Sequence, residues 1–434
     1  MELYGRILLY TMPAFLVFVL LEKGYGWITG RDTVRTMDML SSLSSGITFL
    51  VKEVLGLSVT ILSYGWMVQH FAVFHVESTV LTFIITYFVL DFQAYWTHRW
   101  SHEINILWNE HAIHHSSEDY NLACALRTTI SNFVNLFTFF LLPAAILGVP
   151  PSVIAIIAPI RLFAQFWYHT EWIKKMGILE SFLITPSHHR VHHAINPEYL
   201  NRNYGQILII WDKMFSTFQE ELPHVQPVYG ITRPAQTWNP IKINFQHLGL
   251  LSADAWRTSN WWDKMRIWFM PTGWRPADVA EKYPVRKIED VYHFTKYNPL
   301  TSGMLKTWTW IQFGWAFTLV LYFFGNIARI GSPNMFYYGG FILLSIYAYT
   351  ELMDRNPYAL AWEFAKNAIG IGIICYLGDW FGSDAFLPGL GYAIVAYFVI
   401  STVVTAWLVM REMKPCREKT NEMKAEPVPA SRIV

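Results

Sequence analysis

Long apolar runs separated by shorter polar stretches dominate the pattern of this 434-residue chain. About 20 consecutive apolar residues are enough for a helix to cross the hydrocarbon core of a membrane. The pattern therefore predicts membrane-spanning or re-entrant helices, with the shorter runs lying at the membrane interface. The runs lie near residues 7–21, 46–69, 78–97, 130–148, 151–168, 305–328, 335–351, 362–378 and 389–410.

The chain ends provide the expected anchoring and orientation. The first run is flanked by Arg6 and Lys23 and lacks a small-residue cleavage site, so we interpret it as an anchor rather than a removable signal. Basic residues accumulate in the tail, which the positive-inside rule therefore places in the cytoplasm. They are Arg411, Lys414, Arg417, Lys419, Lys424 and Arg432.

These patterns predict an all-α, polytopic membrane helical bundle with five parts. The parts are N-terminal membrane anchors (1–75), a histidine-rich catalytic core (76–220), a polar, tryptophan-rich interfacial connection (221–300), a C-terminal transmembrane bundle (301–410) and a cytoplasmic tail (411–434). Tryptophans concentrate at membrane interfaces, and those of the connection are interpreted as an interfacial belt. They are Trp238, Trp256, Trp261, Trp262, Trp268 and Trp274.

Composition supports the membrane class and excludes others. Hydrophobic residues make up 53% of the chain and charged residues 15%, against about 25% charged residues in a typical soluble domain. The net charge of +1 gives no indication of nucleic-acid binding. The three cysteines provide no disulfide framework, which fits a site facing a reducing compartment.

Ten of the 15 histidines fall between residues 98 and 193, in a recurring pattern. The pattern is H-x-x-x-H, H-x-x-H-H, one isolated histidine, and H-x-x-H-H again. Its members are His98, His102, His111, His114, His115, His169, His189, His192 and His193. Helix positions three or four apart share a face, so each cluster is expected to present its imidazoles together as half of a metal shell.

Nine imidazoles exceed the roughly four to six donors that one ion takes, so two metal ions are the simple interpretation. Structural zinc favours cysteine ligands, but no cysteine here has ligand spacing to another. Iron suits imidazole and can bind oxygen, so two iron ions are predicted. His188 is offset from the repeat and is a weak candidate. The remaining histidines stand alone and are interpreted as ordinary residues: His70, His75, His224, His247 and His293.

The first histidine pair follows the apolar run that reaches Leu90, and His169 follows the run that ends at residue 168. Histidines and lipid thus meet where helices leave the bilayer. Ionisable residues at such a depth are functional by default. The position favours a membrane lipid substrate with an acyl or alkyl chain.

The histidine pattern resembles the fatty acid hydroxylase/sterol desaturase superfamily of membrane di-iron enzymes. The stretches AYWTHRWSHEINILWNEHAIHHSSEDYNLACALR (94–127), QFWYHTEWI (165–173) and TPSHHRVHHAINPEYLNRNYGQILIIWDKMFSTFQEE (185–221) resemble its alkylglycerol monooxygenase family in particular. The strong resemblance covers roughly residues 80–250. It is weaker over the C-terminal bundle, which most other members of the superfamily lack.

The resemblance implies a monooxygenase that hydroxylates the carbon next to the ether oxygen of alkylglycerol-type lipids. The resulting hemiacetal collapses to a fatty aldehyde and a glycerol derivative. In that family O₂ is the oxidant and tetrahydrobiopterin supplies the electrons. A pterin or another electron-transfer partner is therefore expected, in an endoplasmic reticulum membrane if the source is eukaryotic or an inner membrane if it is bacterial.

Several carboxylates are expected to support the metal-binding histidines, which usually donate their second N–H to a carboxylate or carbonyl. The candidates are Asp91, Glu103, Glu118, Asp119 and Asp212. Glu103 follows His102, as an acidic residue does in the resembling family, and is expected to act in catalysis or pterin contact. Asp91 and Asp119 are further catalytic candidates. An alternative for Glu118 and Asp119 is a helix N-cap, and Arg127 is expected to pair with a carboxylate or contact a lipid headgroup.

Alternatives remain within and outside the superfamily. A sterol desaturase or a lipid or fatty acid hydroxylase with a separate cytochrome b5 or ferredoxin donor would carry the same clusters. A carboxylate di-iron bundle needs paired Glu-x-x-His motifs, and the one such string, ending at His224, contains a proline. The H-E-x-x-H motif of zinc proteases is absent. A transporter should show an internal repeat, and none is found.

Overall fold

The structure, a computed structural model, describes residues 2–57, 63–133 and 137–412. Over these residues the chain is helical, and its only β-pairing is three isolated bridges. The helices are α1 (Glu2–Thr29), α2 (Thr36–Val54), α3 (Tyr64–Phe71), α4 (Val80–Glu103), α5 (Asn105–His115), α6 (Leu142–Ile146), α7 (Pro151–Ala164), α8 (Pro186–His192), α9 (Ile210–Met214), α10 (Pro240–Arg257), α11 (Trp261–Arg266), α12 (Ala277–Lys282), α13 (Gly303–Ile330), α14 (Asn334–Met353), α15 (Ala359–Leu377) and α16 (Leu390–Glu412). The predicted all-α class is confirmed.

Five of the described helices are long and apolar enough to cross a membrane. They are α1 (from Arg6), α4, α13, α15 and α16, and they correspond to the predicted runs at 7–21, 78–97, 305–328, 362–378 and 389–410. Between 22% and 44% of each apolar window is buried inside the protein. Most of each window therefore faces outward, as expected for helices in contact with lipid.

Three of the four remaining predicted runs do not form one continuous long helix. The run at 46–69 is interrupted because α2 ends at Val54, where Gly56 adopts a left-handed φ of 63° that terminates the helix. The run at 130–148 contains a short 3-10 helix and the five residues of α6, and residues 134–136 lie outside the described part. The run at 151–168 forms the 14 residues of α7, too few to span.

The largest apolar core joins the two ends of the chain. Buried side chains of α1 and α2, such as Val19 and Leu40, belong to one cluster with those of α13 to α16, such as Phe323 and Phe398. The run at 335–351 forms α14, most of which is buried in this cluster. Nearly all of the predicted cytoplasmic tail lies outside the described residues.

The histidine-bearing helices lie beside this core. The spanning helix α4 ends at Glu103, and α5 starts again after Ile104, whose extended backbone (φ −119°, ψ 128°) separates the two helices. Helix α8 begins with Pro186 in its first turn, a position where the missing N–H of proline costs little. The ends of α4, α5 and α8 therefore bring the three histidine clusters to one end of a membrane span.

Candidate metal centre

The nine patterned histidines converge into two groups whose candidate ligand atoms all lie within 4.8 Å of one another in each group. Group A consists of His98, His102, His111, His115 and His192. Group B consists of His114, His169, His189 and His193. The groups touch, because the rings of His115 and His193 stack with centroids 4.2 Å apart. His188 belongs to neither group, and its Nδ1 instead lies 3.2 Å from the Leu183 carbonyl.

The expectation that each cluster serves as one half of a shell is wrong for both H-x-x-H-H motifs. In α5 the outer pair, His111 and His115, enters group A, while His114 enters group B. In α8 the assignment is reversed: the outer pair His189 and His193 enters group B, and His192 enters group A. On a helix, the residue four positions after the first histidine lies about 40° to one side of it. The residue three positions after the first histidine lies about 60° to the other side. Each motif therefore contributes to both groups.

Backbone carbonyls orient four of the imidazoles. The distances from imidazole Nδ1 to carbonyl oxygen are 2.7 Å for His98 to Tyr204, 2.8 Å for His169 to Gln165, 3.0 Å for His192 to Arg202 and 3.3 Å for His114 to Arg127. A carbonyl oxygen can only accept, so these imidazoles donate from Nδ1. A neutral imidazole of this tautomer carries its lone pair on Nε2, which is the atom directed into the group.

The arrangement of nitrogen atoms fits a metal ion in each group. The Nε2 atoms of His114 and His169 lie 3.4 Å apart, and the tautomers above place a lone pair on both. The Nε2 atoms of His102 and His192 are buried without a hydrogen-bond partner among the described residues. A cation between the nitrogens removes the repulsion and satisfies the unpartnered atoms.

The spacing of other nitrogen pairs agrees with this fit. The Nε2 atom of His111 lies 2.9 Å from that of His98 and 3.0 Å from that of His115. The Nε2 atom of His189 lies 3.0 Å from those of His169 and His193. Adjacent ligands at right angles, with metal–nitrogen bonds of about 2.1 Å, are separated by about 3.0 Å.

Burial keeps the imidazoles in the form that can bind a metal. It lowers the pKa of His114 to about 4 and lowers the pKa values of His111, His115, His189 and His193 well below the ordinary value. Neighbouring imidazoles lower these pKa values further, because a second positive charge nearby is unfavourable. The groups are therefore neutral and available as ligands at physiological pH.

The candidate carboxylates occupy three different environments near the groups. Asp91 accepts hydrogen bonds from Ile207 N, Leu208 N and Trp211 Nε1, which ties α4 to α9 and to the loop before it. Asp119 binds Arg35 Nε at 2.7 Å and Lys296 Nζ at 2.8 Å. Glu103 pairs with Arg99 at 2.8 Å, and its side chain is 41% exposed. The described hydrogen bonds of these three carboxylates thus go to groups other than the imidazoles.

Two further carboxylates position the backbone around the histidines. Asp212 is fully buried and accepts from the amides of Tyr204 and Gly205, both at 2.7 Å. It thereby holds the residue whose carbonyl orients His98. Glu118 accepts from the Tyr297 amide at 2.5 Å. No α-helix begins after Glu118 and Asp119, so the N-cap alternative is wrong; the Asn121 side chain instead accepts from the amides at the following 3-10 turn.

Arg127 pairs with a carboxylate that the sequence did not indicate. Its guanidinium contacts Asp38 Oδ1 at 2.7 Å, and both side chains are almost completely buried. It also donates to Ser42 Oγ and Ser116 Oγ, so α2 is joined to the end of α5. Asp38 was not predicted as the partner of Arg127, because an acidic residue in the first turn of a helix is common and has no distinctive spacing.

Aromatic side chains surround the groups and also escaped specific prediction. Trp108 packs against His102 with ring centroids 5.2 Å apart, and Tyr168 packs against His189 at 4.3 Å. Tyr204 also lies against group A, with its ring centroid 5.2 Å from that of His102. Aromatic residues are frequent throughout this chain, so their proximity to a histidine motif was no specific signal.

A cavity of about 620 Å³ opens onto both groups. Histidines of both groups contribute to its wall, namely His102, His115, His192 and His193. Much of the remaining wall is apolar, including Trp100, Trp108, Leu200 and Phe269, and Glu103 lies at its edge. The size lies within the usual range of about 300–1,000 Å³ for small-molecule sites. A lipid chain and a small polar group are therefore both compatible with this wall.

The sequence is similar to known proteins over most of its length. A sequence model of the fatty acid hydroxylase family matches residues 83–217. Alkylglycerol monooxygenase of Homo sapiens is 35% identical over 357 residues, which cover 81% of this chain and 78% of that protein. Alkylglycerol monooxygenase of Xenopus tropicalis is 31% identical over 411 residues, 94% of this chain and 90% of that protein.

A shorter similarity, 32% identity over 147 residues, relates 33% of this chain to 44% of Ornithine lipid hydroxylase OlsE of Rhizobium tropici. No solved structure matches this chain. The family match encloses all nine histidines of groups A and B, and the longer matches extend through the helices on both sides. The chain is therefore an oxygen-using membrane oxidoreductase that belongs to the alkylglycerol monooxygenase family of fatty acid hydroxylase proteins.

Proposed function

We propose that this protein is a membrane di-iron monooxygenase that hydroxylates the carbon next to the ether oxygen of alkylglycerol-type lipids. The observation that carries the proposal is the cavity that reaches both histidine groups beside the end of α4. The names of the full-length relatives support the ether-lipid substrate. The similarity to Ornithine lipid hydroxylase OlsE, by contrast, covers only 33% of this chain.

Groups A and B would each hold one iron ion through imidazole nitrogens. Iron bound there supplies the activation of O₂ that hydroxylation of an unreactive C–H bond requires. One oxygen atom enters the substrate as a hydroxyl, and the other leaves as water with two electrons and two protons from the donor. The hydroxylated carbon is a hemiacetal, which breaks its C–O bond to give a fatty aldehyde and the glycerol alcohol.

The protein's own contribution is position and exclusion of water. The carbonyls of Tyr204 and Arg202 fix the rings of His98 and His192. Trp100 and Trp108 provide an apolar wall that would hold the alkyl chain beside the histidines and exclude water from the reacting carbon. Binding a flexible chain against fixed walls limits the number of carbon positions that reach the metal site.

Glu103 is our candidate for contact with tetrahydrobiopterin. It lies at the cavity, and its carboxylate accepts from Arg99 with a substantial fraction still exposed. A carboxylate there can accept hydrogen bonds from the amino and ring N–H groups of a pterin. Replacing Glu103 with alanine is expected to impair turnover more than it reduces bound iron. Iron-free Glu103→Ala protein would instead make Glu103 part of the metal-site scaffold.

The active site is proposed to face the cytoplasm. Glu412, at the end of α16, accepts a hydrogen bond from the Ser302 amide. Tyr297, five residues before Ser302, donates from its backbone amide to Glu118, which lies beside the histidine core. The basic tail thus starts on the histidine side of the bundle. The positive-inside rule then places this side in the cytoplasm, at the endoplasmic reticulum or a bacterial inner membrane.

The decisive experiment supplies iron-loaded membranes with a 1-O-alkylglycerol and O₂, with and without tetrahydrobiopterin, and measures the fatty aldehyde. Pterin-dependent aldehyde is the expected result, and His102→Ala should abolish it. Absence of aldehyde from protein that holds two irons would discard the ether-lipid assignment. Sterols and fatty acyl chains with a cytochrome b5 or ferredoxin donor would then be tested.

A further inference from the structure

A short segment outside the spanning helices exposes five large apolar side chains within 14 residues. We call residues 256–269 the α11 platform. The exposed fractions are 86% for Trp256, 77% for Trp261, 65% for Trp262, 65% for Met265 and 75% for Phe269. Water-facing surfaces of soluble proteins rarely concentrate such residues. Exposure of this kind indicates an apolar or interfacial environment.

The apolar exposure follows from the orientation of helix α11. Trp261 and Met265 of α11 and Phe269 in the turn after it recur at intervals of four residues and are exposed, whereas Asp263 of the helix and Ile267 at its end are buried. The Asn260 side chain caps the helix by accepting from the amides of Trp262 and Asp263. The polar side chain of Asp263 therefore faces the protein and the apolar face is directed outward, the reverse of a helix on a soluble domain.

Hydrogen bonds fix the platform to the end of a membrane span. Asn105 is completely buried, and its side-chain Nδ2 donates to the Ile267 carbonyl at 2.9 Å. The backbone N–H of Asn105 donates to the Met270 carbonyl at 3.0 Å. The Thr272 amide donates to the Glu103 carbonyl, also at 3.0 Å. Since α4 ends at Glu103, the platform lies at the depth where this span leaves the bilayer.

The same segment forms part of the wall of the catalytic cavity. Phe269 of the platform lines this cavity together with Pro271 and Thr272, which follow the platform, and with His102 and His193. Phe269 is both part of this wall and 75% exposed, so this residue lies where the outer apolar face meets the cavity. Charge adds a second indication: Arg257, Lys264 and Arg266 outnumber the one acid of the platform, which suits anionic lipid headgroups.

We propose that the α11 platform is embedded in the headgroup and upper acyl region of the membrane, and that the alkyl chain of the substrate enters the cavity from the bilayer past Phe269. The entry route rests on the proposed function, whereas the embedding does not. The occupant of the apolar face is the lipid surface, because the platform is continuous with a span and carries a net positive charge. A lipid could then reach the histidine groups without leaving the membrane.

Depth-resolved quenching tests the embedding without any activity. A fluorophore is attached to Trp262→Cys in a Cys375→Ser/Cys416→Ser background, and the protein is placed in phosphatidylcholine vesicles containing phosphatidylglycerol. A nitroxide on the upper acyl chain should quench the label strongly and aqueous iodide weakly. The matched Glu220→Cys label, on an exposed residue of the histidine core, should show the opposite order. Equal iodide quenching at both positions would overturn the proposal.

Kinetics with two classes of substrate test the entry route. Trp261→Ser/Trp262→Ser should raise the apparent KM for a long-chain alkylglycerol in vesicles about tenfold, through lost apolar contact with lipid. Turnover of a short, water-soluble alkylglycerol should not change. Trp261→Leu/Trp262→Leu should retain most of the affinity, and Tyr392→Ser, at the distant end of α16, should have no effect.

The outcomes separate the two proposals. An unchanged KM for the vesicle substrate in the serine variant, or an equal loss with the soluble substrate, would contradict bilayer entry past the platform. If the unmodified protein cleaved neither alkylglycerol while the label at 262 was still quenched by lipid, the proposed reaction would fail and the embedded platform would stand.

Discussion

Replacing Asp212 with asparagine tests whether the loop before α9 holds a metal-binding histidine in place. The Asp212 carboxylate accepts from Tyr204 N, Gly205 N and Thr217 Oγ1 at 2.6–2.7 Å. The Tyr204 carbonyl in turn accepts from His98 Nδ1 at 2.7 Å. Asparagine has the same shape, but its amino group replaces one acceptor oxygen and faces an N–H or O–H donor.

The magnitude follows from the lost acceptor. One buried donor loses its hydrogen bond and becomes unsatisfied, at a cost of about 1–3 kcal/mol. Part of this cost should appear as a displaced Tyr204 carbonyl and a less restrained His98 ring. Loss of groups that orient metal ligands typically weakens metal binding by about 10–100-fold. Asp212→Asn should therefore lower both the thermal midpoint of the iron-free protein and its iron affinity.

The assay is competition for iron against a chelator of known affinity, combined with thermal unfolding in detergent. Asp278→Asn is the matched control, because Asp278 also accepts hydrogen bonds from Thr258 and Ser259 but lies on the exposed surface away from the histidines. If Asp212→Asn protein had the iron affinity and the thermal midpoint of the unmodified protein, the positioning role of this loop would be refuted.

Three further outcomes are expected. His111→Ala should remove one donor from group A, and His114→Ala should remove one donor from group B. Metal analysis should show a greater loss of bound metal in His114→Ala, because group B falls from four to three histidines. Equal loss of both ions in both variants would contradict separate groups. Arg127→Met should destabilise the protein by about 3–5 kcal/mol by leaving the Asp38 carboxylate unpaired, and Asp38→Asn in the same chain should restore part of that stability in unfolding measurements. Burial raises the pKa of Glu118 from 4.5 to about 7, so the folded state binds the Glu118 proton more tightly than the unfolded state does. The free energy of unfolding should therefore fall by about 3 kcal/mol as pH rises from 4.5 to 7. Glu118→Gln should lack this fall, and the same pH profile of unfolding in the variant and the unmodified protein would exclude the effect.

The comparison of histidine motifs explains a general limit of helical periodicity. The H-x-x-H-H spacing establishes that three imidazoles lie within about 100° of one another around a helix. It does not establish whether one ion or two lie in front of them. The reciprocal use of α5 and α8, in which one outer pair enters group A and the other enters group B, depends on how the two helices face each other.

The supporting contacts show the same limit. The chemistry of metal-binding histidines predicted partners for their second nitrogen. Backbone carbonyls of Tyr204, Arg202, Gln165 and Arg127 fill this role in four cases. Every residue has a backbone carbonyl, so no residue type marks such a partner in advance. Carboxylates are visible in a sequence and were therefore favoured as candidates.

The sequence by itself determined the helical class, the nine apolar runs that include the five candidate spans, and the nine histidines of the candidate metal centre. These features are local: apolar length fixes a span, and imidazole chemistry with helical spacing identifies a ligand cluster. Only the tertiary structure decided how the nine histidines divide between the groups and that Arg127 pairs with Asp38. Those outcomes depend on contacts between segments far apart in the chain, whose geometry is set by packing and burial rather than by the spacing of neighbouring residues.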